Sequence, residues 1–340
     1  MKKISYLCPK YQCMRVFLYV VICFSLLGCS QQTVRSNPNP EESIIRFDTA
    51  LYQYLTQNEP DKVLDEYQPF LDEYGEKVLG IGRSDSIGFY DRLKNYFSEP
   101  TLMQLYSYEQ VLFSDISELQ AELVAGMEIL LQHFPKLHRP KIYLHISGWG
   151  QNVIVNDEML SLSADKYLGS DYSLYRDFFY EYQRQGMSPD RMAPDYLLGF
   201  LMANFPFRGN EEVLLDRMIY EGKLRYLLSQ LLPERKPWEY VGYLQTQSVW
   251  CEKHCDRLWK SILENQHLFR PDYLTTSAYM NDAPATSTFS SDSPGRTGIW
   301  LGYQIVASYM ENHPATDWQT LMNRTDYAEF LKEARFKPKK

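Results

Sequence analysis

Only one stretch of this 340-residue chain has the composition of β-strands, and it limits the fold to a very small sheet. Residues 141–147 (KIYLHIS) are rich in β-forming side chains. The pattern resumes at residues 153–155 and again at 159–163, with the turn GWGQN at 148–152 and a second turn at Asn156. Three short strands joined by turns predict one small antiparallel sheet.

Apolar residues elsewhere recur at helical spacing from Ile44 onward. In residues 115–134, Asp115 and Glu118 stand three positions apart, as at a helix start, and Leu123 and Met127 share the expected buried face. The other helical segments are residues 44–55, 60–71, 214–232, 248–263, 299–312 and 327–334. Many helices around one small sheet predict the α+β class, with residues 44–340 as a single, predominantly helical globular domain.

The charge of the chain restricts its partners. The net charge is −8, and it becomes −12 when the four basic residues of the first 28 are removed. Binding to DNA or RNA regardless of sequence relies on basic side chains that neutralise phosphates. Attraction to anionic lipid needs the same positive charge. We therefore expect no nucleic-acid partner, and if the protein sits on a membrane we expect a covalent attachment to hold it there.

The N-terminus has the form of an export signal. Four basic residues, Lys2, Lys3, Lys10 and Arg15, precede an apolar run at residues 16–27 (VFLYVVICFSLL). This run is far shorter than the ~20 apolar residues that span a bilayer as a helix. Residues 1–28 are therefore predicted to be a signal peptide. The alternative is an uncleaved anchor.

The run ends in LLGC at residues 26–29, which resembles the bacterial lipobox. That resemblance implies acylation of the Cys29 thiol, with palmitate-type chains, and removal of the signal before it. Residues 29–43 are polar, contain Pro38 and Pro40, and read as a lipidated tether. Ser30, rather than Asp, follows the cysteine, which under lipoprotein sorting rules favours the outer membrane, facing the periplasm. The membrane is thus expected to be contacted through the lipid anchor.

The sequence contains no complete set of catalytic or cofactor-binding residues. It lacks a P-loop, a G-x-G-x-x-G pattern and a G-x-S-x-G elbow, and no two histidines stand at the i, i+4 spacing of a zinc helix. Cys251 and Cys255 share one helix face with His254 between them. Three interpretations of this pair remain open: a metal site, a disulfide, or two thiols that form neither. We favour the two thiols. No cofactor and no metal are expected.

Three segments in order behind the lipobox resemble a known family. Residues 157–190 read DEMLSLSADKYLGSDYSLYRDFFYEYQRQGMSPD, residues 216–234 read DRMIYEGKLRYLLSQLLPE, and residues 293–310 read SPGRTGIWLGYQIVASYM. Together they are similar to the gliding-motility lipoproteins of the GldB family. The resemblance implies a cell-envelope lipoprotein needed for, or associated with, surface gliding. It carries over no catalytic residues.

Residues 218–224 (MIYEGKL) are more distantly similar to the site helix of zincin-type metallopeptidases. Their motif H-E-x-x-H places two zinc-binding imidazoles one turn apart, with a glutamate that activates the bound water. Here Glu221 would take the place of that base, Tyr220 and Leu224 replace the histidines, and Glu252 could match a third ligand. Leucine cannot bind zinc, so the similarity implies a degenerate zincin-like scaffold. The alternative is an ordinary helix in which Glu221 pairs with Arg225.

Three functions follow as hypotheses. The first is a non-catalytic component of the gliding apparatus, or of the associated secretion apparatus, with protein partners in the envelope. The second is a hydrolase of envelope peptide or glycan that uses Glu221 or another carboxylate. The third is a binding module that holds a peptide in a groove among the helices.

Overall fold

In the computed structural model, which describes residues 43–57, 59–150 and 152–338, the three predicted strands form one sheet. The strands are β1 (Lys141–His145), β2 (Val153–Val155) and β3 (Met159–Ser163). Their order is β1-β3-β2, so β3 lies in the centre. At the outer edge of β1, Ile45 forms a parallel bridge with Tyr143.

The sheet is mixed, and the antiparallel prediction is right for only one of its two pairs. β2 and β3 pair antiparallel because the short turn between them folds back on itself, and the Asn156 side chain accepts hydrogen bonds from the backbone N–H groups of Glu158 and Met159. β1 pairs parallel with β3, with Lys141 opposite Met159 and His145 opposite Ser163. Since β3 occupies the position beside β1, the hairpin partner β2 is left at the far edge.

Helices make up most of the remaining structure, which confirms the α+β class. In chain order they are α1 (Phe47–Gln57), α2 (Phe70–Glu73), α3 (Phe89–Tyr96), α4 (Pro100–Leu112), α5 (Ser117–His133), α6 (Tyr175–Phe178), α7 (Glu181–Arg184), α8 (Met192–Asn204), α9 (Leu214–Leu231), α10 (Pro237–Tyr240), α11 (Gln245–Glu264), α12 (Tyr273–Met280), α13 (Thr297–Asn312), α14 (Trp318–Asn323) and α15 (Tyr327–Ala334). The segment predicted as helical at residues 60–71 is instead a 3₁₀ helix at Asp61–Tyr67, followed by the short α2. Pro69, which has no backbone N–H to donate, separates the two.

The predicted signal peptide and almost all of the predicted tether are not among the described residues. Residues 1–28 and 29–42, including Cys29, lie outside the described residues. All described residues belong to one compact unit. None of the helices in this described part is long and apolar enough to cross a membrane.

Aromatic rings pack against one face of the sheet. The rings of Phe70 and Tyr143 stack with centroids 4.1 Å apart and planes 4° from parallel. Phe47, the first residue of α1, makes edge contacts with Phe70 and Tyr74 at 5.0 and 4.9 Å. The Tyr74 hydroxyl donates to the carbonyl oxygen of Ile146, which ties this cluster to the end of β1. Offset and edge contacts of this kind add to the stabilisation that burial of the rings provides.

The helix α9 is the centre of the helical part of the fold. It packs against α5, α8, α12 and α13. Leucine, methionine and charged helix formers fill its sequence, Asp216 lies in its first turn, and Pro233 follows its end. Gly222 of α9 lies directly against Gly302 of α13, where an added Cβ on either residue would overlap backbone atoms of the other helix. The two backbones are therefore in contact at this crossing.

Candidate functional site

Three of the four residues predicted for a degenerate zincin-like site lie on α9. Tyr220, Glu221 and Leu224 are all buried, and Leu224 has no exposed surface at all. The direct contact of Gly222 with Gly302 places α13 against this part of α9. The three side chains therefore lie in packed structure between helices.

Glu221 is held between two arginines of its own helix. Its Oε1 is 3.7 Å from a terminal nitrogen of Arg217, and its Oε2 is 3.3 Å from one of Arg225. Both Glu221 and Arg225 are less than one-tenth exposed. Burial lowers the pKa of the Arg225 guanidinium, and the charge of Glu221 opposes that shift. The i, i+4 pairing that the sequence suggested as the alternative is therefore present.

Tyr220 has a structural contact where the zincin motif has its first histidine. Its hydroxyl donates to the carbonyl oxygen of Phe205 at 3.0 Å, and its ring packs against Phe207 at a centroid distance of 5.1 Å. Burial, together with the negative charge of Glu221, raises the pKa of Tyr220 to about 12. At neutral pH the phenol is protonated and is not an anionic metal ligand.

Glu252, the fourth predicted residue, lies on α11 and not on α9 with the other three. Its carboxylate is exposed and accepts a hydrogen bond from Ser248 one turn earlier, at 3.2 Å. It lines a cavity of about 310 Å³ together with Cys255, Trp300 and Gln304, and none of the three α9 residues borders that cavity. Among the described residues no three His, Cys, Asp or Glu side chains are placed to hold a metal ion. Glu252 therefore borders a cavity that Tyr220, Glu221 and Leu224 do not line.

The cysteine pair on α11 is buried and is not joined by a disulfide. Cys251 and Cys255 both lie on the inner face of the helix. Burial raises the pKa of the Cys251 thiol to about 12, although a hydrogen bond with Tyr243 opposes part of that shift. This arrangement agrees with two thiols, the favoured one of the three readings of this pair.

A different candidate site lies beyond the end of β1, at the turn around Trp149. Gly148 and Trp149 both have left-handed backbone conformations, with φ of +61° and +68°. This conformation is unfavourable for a residue as bulky as tryptophan. Such residues concentrate at functional sites, where surrounding contacts hold them in place.

One buried carboxylate holds this turn. Asp165, which has no exposed surface, accepts hydrogen bonds from the backbone N–H groups of Ser147 and Trp149, at 2.9 and 2.8 Å. The Ser163 hydroxyl also donates to it. Lys166 donates to the Trp149 carbonyl oxygen at 3.1 Å, and Tyr96 donates to that of Ser147 at 2.8 Å. The turn is therefore fixed by polar contacts on both sides of its backbone.

Trp149 is one of the residues that line a cavity of about 370 Å³. The cavity is lined by Glu99, Thr101, Leu102, Leu105, Gly148, Trp149 and Phe178. Phe178 packs against Trp149 at a centroid distance of 4.4 Å and is 61% exposed. We name this feature the Trp149 cavity.

Sequence reasoning identified the turn at residues 148–152 but not the site. The signal present in the sequence was the pair of glycines around Trp149, which suits left-handed backbone conformations. Asp165 could not be connected with that turn, because its contacts with Ser147 and Trp149 exist only when β1 and β3 are paired side by side. The contribution of α4, which supplies Leu102 and Leu105, is equally a product of tertiary packing.

Comparison with protein-family models gives a match over most of the chain. The model described as gliding motility protein GldB covers residues 29–338. No match was found among curated proteins or among solved structures.

Proposed function

Because this chain belongs to the GldB family of gliding motility proteins, we propose that it is a lipid-anchored component of the cell envelope that acts by binding rather than by catalysis. It serves gliding, or the associated secretion apparatus, through protein partners in the envelope. Its body faces the periplasm from the outer membrane. Family membership supports the coarser part of this proposal, a lipoprotein related to gliding motility.

Attachment through Cys29 is supported by two observations. The leader of residues 1–28 ends in a lipobox-like sequence, and the family match begins at residue 29. Since each buried CH₂ group contributes about 0.8 kcal/mol, several acyl chains on one thiol hold a protein stably in a bilayer. The acidic body supplies no comparable attraction to anionic lipid.

One observation carries the non-catalytic part of the proposal: Glu221 is engaged by Arg217 and Arg225 within packed helices. A general base has to reach the proton that it removes, within hydrogen-bonding distance. A carboxylate that neutralises a buried arginine has a structural task instead. The exposed Glu252 lines a separate cavity.

Metabolic labelling with an alkyne analogue of palmitate tests the anchor. We expect the label on the wild-type protein and none on the Cys29→Ala variant, which should also leave the membrane fraction. The matched control is Cys23→Ala, because Cys23 lies in the leader and its loss should leave labelling unchanged. Equal labelling of the Cys29→Ala variant would refute attachment at this residue.

Replacement of Glu221 in the cell tests the non-catalytic role. Glu221→Gln is expected to reduce gliding only as far as it reduces the amount of folded protein. The double variant Glu221→Gln/Arg225→Met removes both charges of the pair, so it should restore both abundance and gliding. A catalytic glutamate could not be replaced in this way. Normal abundance with complete loss of gliding in either variant would show that the carboxylate does chemistry.

A further inference from the structure

Two buried carboxyl groups lie side by side where α1 meets α4. Asp48, in the first turn of α1, and Glu109 on α4 are both 0% exposed. The side-chain amide of Gln110 donates to both of them, at 3.2 Å to Asp48 and at 2.7 Å to Glu109. The two carboxyl groups are themselves within hydrogen-bonding distance of each other. We name Asp48 and Glu109 the carboxylate pair.

One arginine lies against the pair, and its contacts are with Asp48. The Arg46 Nε is 3.0 Å from both carboxylate oxygens of Asp48, and one terminal nitrogen is 2.6 Å from Oδ2. The other terminal nitrogen donates to the carbonyl oxygen of Phe113 at 2.7 Å. Within the described residues, Oε1 of Glu109 is buried and has no hydrogen-bond partner. If both carboxyl groups were ionised, Arg46 would leave one of their two negative charges uncompensated, at a buried position where this is costly.

A single proton removes this excess charge. A protonated carboxyl has an O–H to donate, so Glu109 can then donate to Asp48. Burial and the negative charge of Asp48 raise the pKa of the Glu109 carboxyl well above its ordinary value of 4.5. The hydrogen bond from Gln110 and the charge of Arg46 oppose only part of that shift. A proton held between the two carboxyl groups therefore stabilises their contact.

The other ionisable groups around the pair are mainly tyrosines. Those that act on Arg46, on the pair or on the neighbouring Tyr106 are Tyr67, Tyr74, Asp165 and Tyr196. Burial raises the pKa of each of these tyrosines above its ordinary value of 10.0. The tyrosines are therefore neutral below pH 9 and leave the balance of charge at the pair unchanged.

The pair lies where the N-terminal segment is attached to the body. α1 begins four residues after the end of the predicted tether, residues 29–43. The Tyr106 hydroxyl of α4 donates to the carbonyl oxygen of Asp48, and Arg46 binds the carbonyl oxygen of Phe113 at the end of α4. A change in the charge of the pair therefore acts directly on the contact between α1 and α4.

We propose that the carboxylate pair is a proton-sensitive joint: while the pair holds a proton, residues 44–57 stay attached to α4, and loss of that proton weakens the attachment. When α1 separates from α4, both carboxyl groups become hydrated and release the proton. Above pH 4.5, and up to the raised pKa of Glu109, the attached state therefore binds one proton more than the open state and loses stability as the pH rises. That the joint lies between a lipid anchor and the body rests on the proposed function, whereas the joint itself is a property of the folded domain.

Hydrogen exchange of the full chain at pH 5, 6, 7, 8 and 9, read by mass spectrometry, measures the opening of residues 44–57. Protection is corrected for the intrinsic exchange rate at each pH. In the wild type we expect it to fall by up to about tenfold per pH unit, because one proton is released on opening. Glu109→Gln has the shape of the protonated carboxyl and an N–H₂ to donate to Asp48. It should keep the protection of residues 44–57 at pH 5 and show no such fall.

Two further variants separate the pair from a general effect of charge. Asp48→Asn leaves Glu109 as the carboxylate beside Arg46, so one positive charge meets one negative charge and no proton is needed. Its protection should be lower than that of the wild type at pH 5 but should not fall further with pH. The matched control is Glu128→Gln, at an exposed position of α5, which should follow the wild type at every pH.

Infrared difference spectra of the wild type against Glu109→Gln at pH 7 detect the proton itself. We expect the carbonyl stretch of a protonated carboxylic acid in the wild type, and its absence would overturn the proposal. An equal fall of protection in the wild type and in Glu109→Gln would also overturn it. So would a Glu109→Gln variant that is unfolded at pH 5, because the site would then require an anion. None of these measurements uses the lipid anchor or gliding, so failure here is distinguishable from failure of the proposed function.

Discussion

Gly222 and Gly302 bring the backbones of α9 and α13 into direct contact, because a side chain on either residue would overlap the other helix. We expect Gly222→Ala to lower the free energy of unfolding by about 1–3 kcal/mol, since neither backbone can move aside easily. Urea denaturation measures the change. The control is Gly199→Ala on α8, where the new methyl group would meet only Val153 at an ordinary 3.5 Å.

At Gly199 alanine should be neutral or should stabilise the protein by about 0.5–1 kcal/mol, because glycine is the poorer helix former. If Gly222→Ala and Gly199→Ala have the same effect, the close crossing of α9 and α13 does not exist in solution.

Glu221 and Arg225 should behave as a coupled pair in stability measurements. Glu221→Gln leaves the Arg225 charge buried without compensation, which costs about 3–5 kcal/mol. Arg225→Met should cost less, because Glu221 keeps its contact with Arg217. The double variant should be less destabilised than the sum of the two single variants. Denaturant unfolding of all four proteins gives the coupling energy. Strictly additive effects would show that the two side chains do not interact.

Lys223 should make stability depend on alkaline pH. It is 2% exposed, and burial, together with the positive charge of Arg324, lowers its pKa from 10.5 to about 8. Between pH 8 and 10.5 the unfolded chain therefore binds a proton that the folded protein has released. Stability rises with pH wherever the unfolded state binds more protons. This gain, at most about 3 kcal/mol, should be present in the wild type and missing in Lys223→Met.

Unfolding at pH 7, 8, 9 and 10 checks this prediction. The difference in stability between the wild type and Lys223→Met should grow steadily in favour of the wild type over this range. Lys253→Met, at an exposed position of α11, controls for the loss of a lysine. A difference that stays constant from pH 7 to pH 10 would mean that Lys223 has the same pKa in the folded and the unfolded protein.

Cys251 should be inert towards alkylating reagents in the folded protein. Its pKa is raised to about 12 by burial, and the thiolate is the reactive form of cysteine. We expect iodoacetamide at pH 8 to leave Cys251 unmodified in the native protein and to modify it fully in guanidinium chloride. Mass spectrometry of tryptic peptides resolves this site. Equal rates with and without denaturant would contradict the buried position of Cys251.

The elements of this fold were largely predictable because their patterns are local. The strands at residues 153–155 and 159–163, and the helix at 327–334, have the predicted bounds, and the helix predicted at 214–232 ends one residue earlier. Apolar periodicity and turn residues determine such segments through neighbours in the chain. The order of the strands was not predictable in this way, since β1 could pair with either member of the hairpin.

The sites were less predictable than the helices and strands, because tertiary packing rather than neighbouring sequence brings most of their residues together. The spacing of Glu221 and Arg225 predicted their pairing, because both lie on one helix face. The placement of Glu252 depended on how α11 packs, and sequence spacing contains no information on that. Asp165 and Trp149 are 16 residues apart, and only the paired strands bring the carboxylate to the turn.

The bridge between Ile45 and Tyr143 connects the N-terminal end of the described domain to the edge of the sheet. Two backbone hydrogen bonds, from the Ile45 N–H to Ile142 and from the Leu144 N–H to Ile45, secure the chain at the sheet edge, and Phe47 enters the aromatic core two residues later. With the proposed anchor, a pull from the bilayer would reach two connections in turn: the hydrogen bond from the Ile44 N–H to the Gln120 side chain of α5, at 3.1 Å, and then the bridge from Ile45 to β1.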